Sequence, residues 1–370
     1  MKRISNKDGI APWKIDSPVE RWLSKKADNS AFWRRAYVNY YKTFDKDYYK
    51  KGLKFIDKNI AIFVGEVTPE EREQYVIDMV YSLHRFGCMF DEYFMYGYKH
   101  LNAEGRESFI TDKIRWNYYD IMNSRDNLAL FNDKLKTYEK FKKFYKREVI
   151  GVSCDEDFDN FERLFNENDK LLVKPIDGSG GVGIFLMKKA DYADAREAFA
   201  AVRAVGRAVV EQLIVQSKEL AVLNSSSVNT VRAPMFKTRD GIIILHPYIR
   251  SGRGDTVVDN AAAGGVFAVI DAKTGIVETV GVDEHGGRYV KHPTTGVVIP
   301  GFQIPRWDEL VELVNELSGV VETNNFIGWD LALTDDGWVM IEGNPRGQLV
   351  FQIAREKGAK AELEDIISRM

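Results

Sequence analysis

Apolar positions in the first third of the chain recur every three to four residues. Trp22, Phe32, Trp33, Tyr37, Tyr40, Tyr41 and Phe44 follow that spacing, and Tyr75, Val76, Met79, Val80, Leu83 and Phe86 form an i, i+3, i+4 stripe. The stripe begins behind Thr68-Pro-Glu-Glu71, a capping box with proline at the first helical position. Further helices are expected over 93–101 and 109–122. Beyond about Asn127 the rhythm changes. One more amphipathic helix, 132–146, presents Leu135, Tyr138, Phe141, Phe144 and Tyr145 on its apolar face. Short apolar runs bounded by glycine, proline and charge then predict strands at 147–152, 171–173, 184–187, 208–215, 229–236, 241–250 and 266–270, with helices at 155–165 and 190–203. Two last strands flank Asp335-Asp336-Gly337. The pattern predicts a helical N-terminal region followed by a mixed α+β body.

Composition narrows the class. The chain has 370 residues, of which 45% are hydrophobic and 29% charged, so it can bury a core and is not disordered. A formal net charge of -3 carries no basic footprint for nucleic acid. No uninterrupted apolar run is long enough to span a bilayer, and the first residues lack a signal-peptide apolar stretch. Cys88 and Cys154 suggest neither a disulfide framework nor a zinc site, so a reducing, cytoplasmic setting is expected. Aromatic stripes at helical spacing are expected to be core. The sharper alternative makes Trp13, Trp22, Trp33 or the tyrosines a sugar-binding or docking surface. His84 and His100 stand alone and suggest no catalytic set.

The chemistry concentrates in two stretches. Leu171-Leu-Val-Lys174-Pro leads into Gly178, Ser179, Gly180, Gly181 and Gly183, a loop with few Cβ atoms whose backbone N–H groups can converge on an anion. The spacing matches G-x-G-x-x-G, but no helix follows and Lys-Ser/Thr is absent after the last glycine, which argues against Rossmann and Walker A loops. A phosphate-covering flap between two strands and a plain flexible hairpin remain as alternatives. Lys174 is placed to reach phosphate oxygens, and Lys134, beside an N-cap, has the same opportunity. Glu211 and Leu213, where a buried strand becomes a linker, can offer backbone groups to an adenine edge.

The second stretch is Gly328-Trp-Asp330 through Glu342-Gly-Asn344-Pro-Arg346. With 335–337 taken as a three-residue hairpin loop, Thr334 pairs with Trp338 and Asp330 with Glu342. Asn344 joins their face by the two-residue period, so two carboxylates and an amide oxygen converge. Directly opposed like charges require compensation, and hard oxygen ligands near phosphates suit Mg²⁺; pairing with Arg346 is the plainer alternative. Arg232 and Arg250 are single charges in strand patterns and need an anionic partner, either a ligand or a structural carboxylate. Arg253 and Asn260 sit in loop sequence from which they can reach a substrate.

Together these segments resemble the ATP-grasp superfamily, and more narrowly its sugar-transfer-associated members found in polysaccharide biosynthesis clusters. The resemblance rests on Asn-Asp-Lys134, Leu-Val-Lys174-Pro with Gly-Ser-Gly-Gly, Val-Val-Glu211-Gln-Leu-Ile, Ser-Val-Asn229-Thr-Val-Arg232, and Gly-Trp-Asp330 with Ile-Glu342-Gly-Asn344. It implies an α+β ATP-grasp fold, two α+β lobes clamping ATP, with a helical region over 1–126, a small lobe over 127–210 and a large lobe over 211–370. Lys134 and Lys174 would contact phosphates under the glycine loop, and Glu211, Gln212 and Leu213 would hold the nucleotide base. Asp330, Glu342 and Asn344 would hold one or two Mg²⁺, with Arg232 and Arg346 near the transferred phosphoryl group. Glu-Gln at 211–212, where relatives often carry two acidic residues, leaves the ribose contact open. The implied activity is an ADP-forming carboxylate–amine ligase acting on small, sugar-linked substrates. The alternatives are a kinase on the same scaffold and a non-catalytic binding module. A homo-oligomer or a glycosyltransferase partner also fits the resemblance.

Overall fold

A computed structural model describes residues 18–44, 46–177, 183–254 and 265–370. In it the N-terminal stripes fold on one another. Helices α1 (Pro18–Asp28), α2 (Ala31–Phe44), α3 (Lys46–Phe63), α4 (Pro69–Phe86), α5 (Phe90–Met95) and α6 (Ala103–Glu107) bury Leu23, Tyr37, Ile56, Met79, Tyr81 and Tyr98 between them. Of the aromatic stripe, Tyr37 is core and Trp33, Tyr40 and Tyr41 pack half-buried against it, whereas Trp22 and Phe32 remain exposed; Trp13 lies outside the described residues. Thr68 caps α4 as expected, accepting from the Glu71 N–H while the Glu71 carboxylate accepts from the Thr68 N–H at 2.9 Å. The helix expected over 93–101 stops early. Gly97 adopts φ 64, a left-handed conformation that turns the chain out of the helix, and only one 3₁₀ turn follows.

Helix α7 (Asp112–Met122) leaves this bundle and joins the body: Ile114, Tyr118, Tyr119 and Met122 pack with Phe236, Phe326 and Leu349. Then come α8 (Arg125–Asn132) and α9 (Lys134–Tyr145), the latter capped by Asp133, whose carboxylate accepts from the Leu135 and Lys136 N–H groups at 3.1 Å each.

The first sheet is built from β1 (Val149–Val152), β2 (Lys170–Pro175), β3 (Phe185–Lys188) and β4 (Ala208–Gln212), in the order β1-β4-β2-β3 with every pair antiparallel. Helices α10 (Phe158–Glu167) and α11 (Ala195–Arg203) cover one face, where Phe161, Leu164 and Phe199 meet Leu171, Val173 and Val210. Strands β2 and β3 pair on either side of the glycine run, as the strand–loop–strand pattern predicts.

After α12 (Lys218–Ala221), the second sheet contains β5 (Thr230–Thr238), β6 (Gly241–Ile244), β7 (Tyr248–Ser251), β8 (Val266–Val269), β9 (Gly281–Val282), β10 (Arg288–Tyr289), β11 (Phe326–Thr334) and β12 (Gly337–Asn344). Its order is β10-β9-β8-β7-β5-β11-β12, with β6 beside β5. The single strand expected over 241–250 divides into β6 and β7 because His246 adopts φ 46 just before Pro247. One face packs Trp329, Leu331, Leu333, Trp338 and Met340 against α9 and α13 (Trp307–Val320). Burying each of these leucine and methionine side chains stabilises the fold by roughly 1.5–3 kcal/mol. The other face meets α7, α14 (Phe351–Arg355) and α15 (Lys360–Ser368) through Phe236, Tyr248, Phe267 and Phe326.

The β11–β12 hairpin departs from its expected count in two places that cancel. Thr334 pairs with Gly337, not Trp338, so the turn is one residue shorter. A bulge then adds one residue to β12: Leu331 pairs with Met340, but Asp330 pairs with Glu342. The bulge also changes face. Trp338 and Met340 point into the α9–α13 core, whereas on the opposite face Asn344, four residues on, donates to both Asp330 and Glu342.

Candidate active site

Between the two sheets opens a cleft of about 540 Å³, within the usual size of small-ligand sites. The first sheet contributes Lys174, Val209 and Glu211, α9 contributes Lys134 and Tyr145, and the end of β12 contributes Glu342, Asn344 and Arg346. The two separated sequence stretches thus face one space.

On the small-lobe side the Lys174 ammonium is ion-paired with the buried Glu211 carboxylate. Arg147 holds the second oxygen of Glu211, with Nε at 2.9 Å and Nη2 at 2.8 Å. Burial works against the charged carboxylate, but Lys174 and then Arg147 outweigh it and hold Glu211 below the usual carboxylate range. Lys134 Nζ donates to the carbonyl oxygens of Pro175 and Ile176 at 2.9 and 3.2 Å, tying down the end of β2 where the glycine run departs. Burial lowers the Lys134 pKa, with Glu342 opposing and Lys174 reinforcing the shift. Gly183, at the far end of the run, has φ 77, and a Cβ there would come within 2.8 Å of the Pro175 ring. Any other residue would be strained and crowded at that position. Gly178, Ser179, Gly180 and Gly181 lie outside the described residues, as does Asn260.

On the large-lobe side, the Arg232 guanidinium embraces the Asp330 carboxylate, with Nη2 at 2.7 Å from Oδ2, and Arg250 Nη2 lies 3.0 Å from Oδ1. Arg250 Nε also donates to Thr230 at 2.9 Å. Burial opposes the Asp330 charge, but Arg232 and Arg250 prevail and depress its pKa. The anionic partner that both arginines required is therefore a structural carboxylate. Asn344 Nδ2 donates to Asp330 at 3.2 Å and to Glu342 at 2.9 Å, so the three side chains converge as expected. Among the described residues no ion pair reaches Glu342. Its carboxyl is accessible through the mouth of the cleft yet surrounded by protein, and loss of solvent followed by the charge of Asp330 raises its pKa.

The compensation expected from a cation is thus divided. Arginines neutralise Asp330, and Glu342 stays under-compensated. Arg346 does not pair with either carboxylate; its Nη2 lies 3.2 Å from Asp120 of α7, and its guanidinium sits 5.2 Å from the Trp116 ring. Arg253 pairs with Asp283 at 3.2 Å and donates to the Tyr289 hydroxyl at 2.8 Å, tying the end of β7 to the β9–β10 hairpin. Gln212 is spent on the first sheet, where its Oε1 accepts from the Glu148 N–H at 2.9 Å.

The family model for sugar-transfer associated ATP-grasp proteins matches residues 113–368. The chain belongs to this family. Its fold is accordingly an ATP-grasp fold carrying a helical N-terminal region. No curated protein sequence matches it. Among solved structures, D-alanyl-alanine synthetase A from Vibrio cholerae is 12% identical, with a TM-score of 0.44 over 66% of this chain and 67% of that one. N5-carboxyaminoimidazole synthetase from Staphylococcus aureus, complexed with ADP, is 13% identical, with a TM-score of 0.45 over 67% and 55%. D-alanine–D-alanine ligase from Helicobacter pylori is 13% identical, with a TM-score of 0.45 over 70% and 68%. The aligned part thus spans about half to two thirds of these chains.

One residue behind this ATP-grasp cleft is central in the geometry and not singled out by the sequence pattern. The sequence pattern marks Arg147 only as the start of a strand. Arg147 instead joins Glu211 of the first sheet to the second sheet, donating through Nη1 to the Met340 carbonyl at 2.9 Å, beside the bulge. The signal available was an arginine leading into an apolar strand, opposite a lone glutamate in another. Asp120 and Trp116 were missed as well, because their helix was assigned to the N-terminal cap.

Proposed function

We propose that the protein is an ATP-dependent, ADP-forming carboxylate–amine ligase. The observation that carries this is the pairing, across one cleft, of two lysines on the glycine-run lobe with Asp330, Glu342 and Asn344 on the other. No nucleophile–base set is needed for such chemistry, since positioning and charge neutralisation do most of the work.

Lys134 and Lys174 bind the nucleotide phosphates, Lys174 exchanging part of its contact with Glu211 for phosphate oxygen. The glycine run, Gly178 to Gly183, covers them with backbone N–H groups. Glu211 is bonded to strands on both sides, so the base edge falls to the backbone at Leu213, beyond the end of β4. A substrate carboxylate oxygen attacks the γ-phosphorus, the bond to the β–γ bridging oxygen breaks, and ADP leaves. An amine then attacks the acyl carbon of the acyl phosphate, gives up a proton, and displaces inorganic phosphate to leave an amide. Arg232 and Arg250 supply a fixed positive field behind Asp330, and Arg346 meets the transferred phosphoryl group.

The donor set fits Mg²⁺. Glu342 is the under-compensated carboxylate, and turning the Asn344 amide presents an oxygen in place of its N–H₂. Glu342 and Asn344, with Asp330 behind them, would hold one or two ions, which when bound neutralise phosphate charge. The family's association with sugar transfer supports sugar-linked substrates, such as a uronic acid or amino sugar joined to an amino acid, in polysaccharide biosynthesis in the cytoplasm.

Incubation with Mg-ATP and candidate acid–amine pairs should release ADP and phosphate only when both are present. AMP and pyrophosphate as products would overturn the proposal. A stable phosphorylated product with no amine requirement would replace it with a kinase.

A further inference from the structure

The segment Pro345-Arg346-Gly347, directly after Asn344, is gripped at each residue by one face of α7 and its cap. The Asn123 amide donates to the Pro345 carbonyl at 2.7 Å, and its oxygen accepts from the Phe326 N–H at 3.0 Å. Asp120 pairs with Arg346 at 3.2 Å while Trp116 lies under the same guanidinium at 5.2 Å. The Tyr119 hydroxyl donates to the Gly347 carbonyl. Positions 116, 119, 120 and 123 follow the i, i+3, i+4, i+7 spacing of a single helix face. The gripped segment also touches the chemistry: a Cβ on Gly347 would come within 2.9 Å of Arg232 Nη1. Tyr119 itself stacks on Phe326 of β11 with ring centroids 4.9 Å apart, so α7 is fixed to the sheet that bears Asp330.

Resting on the function proposed above, we infer that α7 is part of the active site and that Asp120 is a positioning residue acting through Arg346. An exposed arginine on a loop would sample many rotamers and lose binding energy in ordering itself against a phosphoryl group. Asp120 fixes one end of the guanidinium and Trp116 fixes its plane, so the remaining N–H groups stay aimed over the cleft mouth. The ordering cost is met during folding.

The test needs no knowledge of the acceptor substrates. Binding of Mg-ADP is measured by calorimetry with and without fluoroaluminate, a planar mimic of the phosphoryl group in transfer, and the ratio of the two affinities is taken for each protein. Asp120→Asn and Arg346→Gln should each lower this ratio roughly tenfold, and the double variant should lower it no further than either alone. Asp120→Glu, which keeps the charge, should restore part of it. A wild-type ratio in Asp120→Asn, or losses that add in the double variant, would overturn the inference. Wild-type protein that binds Mg-ADP but gains nothing from fluoroaluminate overturns it too. Failure of wild-type protein to bind Mg-ADP at all removes the ATP-dependent function and this inference together. If Asp120→Asn fails to fold, Trp116→Leu, which keeps the ion pair but removes the platform, carries the same prediction.

Discussion

Asp330 and Glu342 are paired across two strands, and their surroundings drive them apart. Two arginines hold Asp330 ionised, whereas Glu342, short of solvent and beside that charge, resists ionisation. A carboxyl whose pKa is raised by folding supports the fold while it is protonated and loses that contribution as pH rises through the raised value. Glu342→Gln should therefore melt higher than wild type at neutral pH, with the gain gone by about pH 3, below the ordinary glutamate pKa, where both states of the wild type are protonated. The same variant should lose the thermal stabilisation that Mg-ATP gives the wild type. Equal melting at neutral pH would show that Glu342 is not under-compensated. Conversely, Mg²⁺ binding to the wild type should strengthen with rising pH across the acidic range, because the ion takes the deprotonated carboxylate. Lys174→Ala should raise the ATP concentration for half-maximal turnover about tenfold or more, since a charge-assisted phosphate contact is lost; an unchanged ATP dependence would exclude that contact. At this scale the sequence exposed the cast well. It did not show which charges neutralise which, because Arg232 lies 98 positions from Asp330 and only sheet register joins them.

Among the elements, the β12 bulge does most to make a site. Were Ile341 paired in regular alternation rather than bulged, Glu342 and Asn344 would share a face with Trp338 and Met340 and be directed into apolar core. Deleting Ile341 leaves Glu342 directly after Met340 and still opposite Asp330, so the shift in melting temperature with Mg-ATP should persist; its loss would refute this account of the bulge. The element pattern itself was largely legible. The capping box at Thr68, the helix behind Asp133 and the strands around the glycine run all stand where periodicity and caps place them. The misses lie where a single backbone angle decides, at Gly97 and His246, or where two one-residue deviations cancel, as in β11–β12. Apolar spacing does not report either.

For the whole molecule, the question is what keeps the two sheets in register across an open cleft. Arg147 is the bridge, with its guanidinium on Glu211 of one sheet and on the Met340 carbonyl of the other. Arg147→Leu would leave a buried carboxylate with Lys174 as its one remaining partner and should cost about 3 kcal/mol in a denaturant titration. A loss within about 0.5 kcal/mol would mean the bridge is incidental. The α7 clamp belongs to the same scale, since Asp120 and Arg346 lie 226 positions apart in the chain. No helix of the described residues is long and apolar enough to cross a membrane.

What the sequence by itself determined is local. Side-chain period, caps and glycine placement depend on neighbours within a few residues, and they were enough to lay out most elements and to single out a glycine run and a trio of two carboxylates and an amide. Only the tertiary structure decided that Arg232 and Arg250 satisfy Asp330, that Glu342 is left under-compensated, that Arg147 spans the sheets, and that α7 grips the segment after Asn344. Those outcomes depend on register, on a bulge and on helix docking. Each is a choice among long-range partners of similar chemistry, and no periodicity along the chain encodes it.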